Sequence, residues 1–331
     1  MRREPMASGY SGATIERVAL FDDQGSNSVS TFVLKHLDPS TNLLMRATGD
    51  TLCRELQFTQ SSLWTWLPTG IWSPVLGCAF QNDGTGTLLM SDVQPWLYPV
   101  SLCYTLPDPS LINRILDRLA AMHAVYWDHP ELTGTSWLTT PVDSILMLTP
   151  GRLSSPGNTL PLYFQEAIEM WDCLWSLLDP ADSTALQRTL NHPADLLAAI
   201  ERAPATLAHG DAWPANFGEY SNRLILLDWA FVTAGPATFD SLWLANTWRV
   251  LDPDDVLTKH RHALLRHGVM SVGDDAIWDL LVDLGWIRAV FMGVESLVRD
   301  VFDSEGTRSE AIDHLRFWCR RAAAILARRG W

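Results

Sequence analysis

The residues best suited to chemistry lie between Leu207 and Asp240, in LAHGDAWPANFGEYSNRLILLDWAFVTAGPATFD. Asp211 closes a His209-Gly210-Asp211 triplet, Asn216 follows five residues later, and an apolar run then ends at Asp228-Trp229. A carboxylate such as Asp211 can take the proton of an acceptor hydroxyl. The amide oxygen of Asn216, on the same loop, can hold a metal ion. Asp228, arriving from a neighbouring strand, is a second hard oxygen donor of the kind magnesium prefers. Phosphoryl transfer to a hydroxyl needs little else, because it depends mainly on positioning and charge neutralisation.

Those residues need a scaffold. IERVALF and TFVLKHL are β-favouring runs joined by the turn-rich DDQGSNSVS, and VLGCAFQNDGTGTLLMSDV reads as a hairpin around Asn82-Asp83-Gly84. Between them, TLCRELQFTQSSLWTWL has apolar residues at helical spacing. The expected order is two strands, a helix and two strands. The proline-marked stretch 94–109 then reads as a connection, and helical patterns follow. The first places Leu111, Ile115, Leu119, Met122 and Tyr126 on one face, and others run over 161–178, 183–201, 255–268, 274–300 and 308–329. FGEY and RLILLDW read as a small hairpin among these helices. The basic last helix, with Arg316, Arg320, Arg321, Arg328 and Arg329, reads as a solvated face.

Composition narrows the class. The chain has 331 residues, 47% of them hydrophobic, enough for two lobes with a real core. A net charge of −14 argues against a nucleic-acid or anionic-membrane partner and tilts towards a cationic or neutral small molecule. Five cysteines without a C-x-x-C read as reduced thiols in a cytoplasmic protein. No apolar run is long enough to span a bilayer.

In chain order, Gly9-Tyr10-Ser11-Gly12 forms a short glycine-bearing loop before a strand, Lys35 sits within FVLKHL, and Glu55 sits on the following helix. With Asp211, Asn216 and Asp228 after them, the set resembles the aminoglycoside phosphotransferase/choline kinase family. That is the small-molecule branch of the protein-kinase-like fold. The resemblance implies an α+β, two-lobed architecture: an antiparallel-sheet lobe over residues 1–95 and a mostly helical lobe over 96–331. It also implies ATP and Mg²⁺ between the lobes, and a small-molecule acceptor that is aminoglycoside-, choline- or sugar-like. By the family pattern Asp211 resembles the catalytic base, and Asn216 and Asp228 the magnesium ligands. Lys35 resembles the phosphate-binding lysine and Glu55 its partner. Gly9 and Gly12 correspond to the phosphate loop, Asp92 to the hinge beside the adenine, His209 to a loop-orienting residue and Asp240 to a structural carboxylate. Only MRREPMAS precedes Gly9, so the family's first strand is expected to be short or missing, or the true start to lie upstream. Asp-Trp in place of Asp-Phe-Gly, and no Ala-Pro-Glu, favour a small-molecule over a protein substrate.

Each residue has a plainer reading. Asp211 and Asn216 suit turns and caps, and Lys35 and Glu55 suit exposed surfaces; it is their order that carries weight. His123 reads as a hydrogen-bonded core residue. Trp213, Trp243 and Trp248 could wall a substrate site or simply pack helices. The competing class is a catalytically silent kinase-like binding module.

Overall fold

The alternation within one strand decides where Lys35 points. A computed structural model describes residues 1–6, 13–22, 28–154, 162–303 and 307–331. In it Ser28–Leu37 is a strand in which Val33, Lys35 and Leu37 are buried. Alternate residues share a face, so the lysine shares the apolar inner face. Its neighbours build an antiparallel sheet in the order Arg2–Met6, Thr14–Phe21, Ser28–Leu37, Gly86–Ser91, Val75–Phe80. The first strand, expected to be short or missing, is present with five residues paired to Thr14–Phe21. Gly9 and Gly12 lie outside the described residues.

Leu56, Cys53 and Met45 pack with Val33, Leu37, Leu88 and Met90 to form the core under the sheet. The single helix expected between the strand pairs is several shorter ones. Arg54–Gln60 and Ser62–Thr65 are separated by Ser61 in an extended conformation, with φ −83° and ψ 162°. The Asp50 carboxylate accepts the Arg54 amide at 2.9 Å and so fixes where the first begins. A further helix, Leu43–Thr48, capped by Asn42 and closed by Gly49 at φ 66°, went unread because so short a helix shows no periodicity.

Beyond the hairpin the chain is mostly helical and shares one large core. Pro109–Val125 starts on an Asp108 cap with proline in its first turn, and Ile115, Leu119, Met122 and Tyr126 of the expected face are buried. The 183–201 pattern is two helices, Pro180–Asn191 and Ala194–Arg202, because Pro193 has no amide to continue the first. The expected small hairpin is Phe217–Tyr220 with Arg223–Leu226, turning at Ser221 and Asn222 with φ of 49° and 60°. A buried strand pair, Thr206–Ala208 with Thr233–Gly235, flanks it. The longest helices, Asp275–Asp303 and Arg308–Arg329, close the chain. The architecture is α+β, an antiparallel N-terminal sheet joined to a helical C-terminal part. Among the described residues no helix is long and apolar enough to cross a membrane.

Candidate active site

The strand pair delivers the chain to a tight corner. Gly210 has φ +82°, and a Cβ there would lie 2.1 Å from Phe231 O, so only glycine fits. Asp240, fully buried in the first turn of Thr238–Thr247, accepts the backbone amides of His209 and Gly210, each at 2.8 Å. It also accepts His123 Nε2 at 3.0 Å. Burial opposes the charge of Asp240, but the hydrogen bond from His123, the nearby His123 and His209 rings and the Gly210 amide hold its pKa at about 2. His123 in turn meets His260 at 3.1 Å, a buried core pair, as its plainer sequence reading had it. His209 donates Nε2–H to Leu227 O at 2.9 Å and accepts the Asp211 amide on Nδ1 at 3.3 Å. Burial lowers its pKa, which fits that neutral tautomer.

Asp211 leaves this braced corner with both oxygens engaged. Asn216 Nδ2 donates to Oδ2 at 2.9 Å and to the Asp211 carbonyl at 3.0 Å. Trp243 Nε1 donates to Oδ1 at 2.9 Å. Burial and the nearby charge of Asp228 push its pKa up to about 6, against the pull of the Trp243 and Asn216 donors and Arg288. A carboxylate tuned towards neutrality can accept a proton in a reaction at ordinary pH.

A charged cluster forms where Lys35 of the sheet, Glu55 of the helix and Asp228 meet. Lys35 Nζ is 2.7 Å from Glu55 Oε2 and 3.0 Å from Asp228 Oδ1. Burial works against the ammonium, but Asp228 and Glu55 more than offset it, so Lys35 stays charged. Burial likewise opposes the Asp228 charge, yet Lys35 holds its pKa below the usual carboxylate range. Asp228 adopts a left-handed φ of 59°, and its side chain remains 35% exposed.

Asp92 follows the strand Gly86–Ser91 and accepts Arg17 Nε of the second strand at 2.7 Å. Trp213 is half-buried on the Asp211 loop. Trp248 does not belong to an accessible wall: it is 0% exposed and its Nε1 donates to Thr105 O at 3.1 Å, so it packs the core. Two arginines escaped the sequence reading. Arg54, beside Glu55, donates to Ala230 O at 2.7 Å and to Trp137 O at 3.2 Å, tying the Glu55 helix to the loop after Asp228. Arg288 is fully buried and donates to Gly210 O at 2.6 Å. A charged residue amid WIRAVFMGV was the one available signal for Arg288; Arg54 offered none.

Among the described residues no three or more His, Cys, Asp or Glu side chains gather into a metal cage. Magnesium does not need one, since it commonly takes one or two protein oxygens and fills the rest with water and phosphate. Asn216 fits that role: its amide nitrogen is spent on Asp211, which leaves the amide oxygen free to ligate. The partly exposed Asp228 carboxylate could offer a second hard donor.

Comparison with known proteins places this arrangement. The model of the APH phosphotransferase enzyme family matches residues 77–273. The GDP complex of wild-type aminoglycoside 2'-phosphotransferase-IIIa superimposes with a TM-score of 0.52 at 15% identity, covering 97% of this chain and 93% of that one. A GDP and kanamycin complex of APH(2")-IIia gives 0.52 at 15% identity, over 99% and 93%. Plasmodium vivax ethanolamine kinase gives 0.49 at 11% identity, over 96% and 81%. No curated protein matches the chain. At these identities the two superpositions at 0.52 speak for a common kinase-like fold.

Proposed function

The chain belongs to the phosphotransferase enzyme family, a small-molecule phosphotransferase, and on that premise we propose that it moves the γ-phosphoryl group of ATP to a hydroxyl of a small molecule. One observation carries the reading: a carboxylate whose pKa is raised to about 6, Asp211, lies beside Asn216 and near Asp228, which pairs with Lys35 of the sheet, itself held by Glu55. The nucleotide lies between an N-terminal lobe, residues 1–95, and a C-terminal lobe, 96–331. Asp211 orients the acceptor hydroxyl and takes its proton. Lys35, fixed by Glu55, clamps the nucleotide phosphates. Asn216 and Asp228 would hold magnesium, which supplies neutralisation of the phosphate charge. His209 and Asp240 keep the loop in shape, and Asp92 lies beside the base. Trp213 and Trp243 stand where the acceptor would approach Asp211.

The acceptor is a neutral or cationic alcohol of the aminoglycoside, choline or sugar kind. The net charge of −14 supports this, because it disfavours an anion's approach. The test is nucleotide consumption, with ATP and GTP each in the presence of Mg²⁺, against a panel of amino-sugars, choline-like amino alcohols, sugars and antibiotics. Phosphorylated product from at least one class, dependent on Asp211, is expected. A panel that yields none, with no nucleotide bound, would instead favour the silent binding module.

A further inference from the structure

A general base works only if its carboxylate is held in one orientation, and Asn216 alone grips just one of the two Asp211 side-chain oxygens. Trp243 supplies the other grip, through Nε1–H to Oδ1 at 2.9 Å. One donor on each oxygen fixes the carboxylate plane and leaves a lone pair on each for the acceptor. Behind the indole sits Arg288, 0% exposed, midway along the helix Asp275–Asp303. Its Nη2 donates to the carbonyl of Gly210, which belongs to the peptide leading into Asp211, at 2.6 Å. Its Nε donates to Ser144 Oγ at 2.8 Å. The guanidinium carbon lies 5.1 Å from the Phe239 ring and 6.0 Å from the Trp243 ring, within cation–π reach. Its Nη1 is buried with no hydrogen-bond partner. A fully buried cation with an unmet donor is costly to fold around, and an apolar side chain would avoid that cost. The site tolerates the cost where the guanidinium touches both the peptide and the indole that set the base.

We propose that Arg288 and Trp243 form one positioning unit for Asp211. Arg288 fixes the Gly210–Asp211 peptide and the lie of the indole, and the indole fixes the carboxylate. The inference rests on the reading of Asp211 as the base, and the experiment separates the two.

Full-length protein labelled with ¹⁵N at tryptophan gives one indole resonance for each ring, and Trp243→Phe identifies its own by deletion. That resonance is expected to move upfield in Asp211→Ala and to shift in Arg288→Lys, while the others stay in place. Turnover is followed as phosphate release from Mg·ATP and Mg·GTP with water as acceptor. Trp243→Phe and Arg288→Lys are each expected to lower kcat roughly tenfold or more with KM for the nucleotide unchanged, as loss of a hydrogen bond to a charged group implies. Wild-type turnover in Asp211→Asn would overturn the base itself. An inactive Asp211→Asn beside wild-type kcat in Trp243→Phe and Arg288→Lys would overturn the positioning unit alone. So would a Trp243 resonance unmoved by Asp211→Ala, whatever the turnover. If Arg288→Lys lowers thermal stability but leaves kcat and that resonance untouched, Arg288 is a core residue and the unit fails.

Discussion

Asp211 and Asp228 are both carboxylates at the same site, yet their surroundings drive them apart. Asp211, half-buried and near another anion, has its pKa raised to about 6, whereas Lys35 keeps Asp228 charged. That separation suits one to proton transfer and the other to cation binding. Asp211→Asn should therefore lower kcat by on the order of 10²–10⁴ while nucleotide binding survives. Asp228→Asn should instead weaken binding of the magnesium-loaded nucleotide, seen as a raised Kd in titration. Wild-type kcat/KM should also fall as pH drops below about 6, where Asp211 takes up its proton, and Asp211→Asn should lose that limb. Both carboxylates were legible from spacing alone, because phosphoryl transfer needs few groups in a fixed order. The opposite shifts in their pKa values were not, because burial and the reach of Lys35 across 193 positions exist only after folding.

At the scale of elements, the His209–Asp211 loop is a turn that cannot stand alone. Gly210 supplies the left-handed corner, and Asp240, at the start of a helix, supplies the acceptors for its amides. Asp240 has a folded pKa near 2 against an ordinary value of about 3.9. Its contribution to stability is thus complete above about pH 4 and is lost as pH falls through about 2; it is worth on the order of 2–3 kcal/mol. Urea denaturation of wild type and Asp240→Asn should show a constant gap from pH 7 to about 4 that narrows below it. A gap that instead widened in acid would contradict the sign. Sequence patterning caught the hairpin Phe217–Tyr220 with Arg223–Leu226 and the long helices around this loop, but not the strand pair Thr206–Ala208 with Thr233–Gly235, which is too short to show a pattern. It missed the breaks at Ser61 and Pro193, because those depend on single residues rather than on a pattern.

Taken whole, the molecule joins a sheet to a helical part by apolar packing, with the Phe58 ring 4.7 Å from that of Trp229, and by polar contacts. Lys35 reaches Asp228 from the sheet, and Arg54 reaches Ala230 and Trp137 from the helix beneath it. A nucleotide bound between the two parts would stabilise the native chain by mass action. ATP with Mg²⁺ at about 100 times its Kd should add about 2.7 kcal/mol, read as a raised Tm. Mg²⁺ omission or Lys35→Ala should shrink the shift. No shift under any of these conditions would remove the nucleotide from the proposal.

The sequence by itself determined the chemistry on offer and the strand–helix order that carries it. Residue type and spacing between Leu207 and Asp240 are local properties, as is the alternation that turns Lys35 inward. Tertiary structure alone decided what those groups meet. It placed Trp243 on Asp211 rather than leaving it an unassigned aromatic, and it sent Trp248, five residues later, into the core. It also put Arg288 beneath the loop from 78 positions away. Such pairings have no local signature, because they form only when distant helices pack and exclude water from the charges between them.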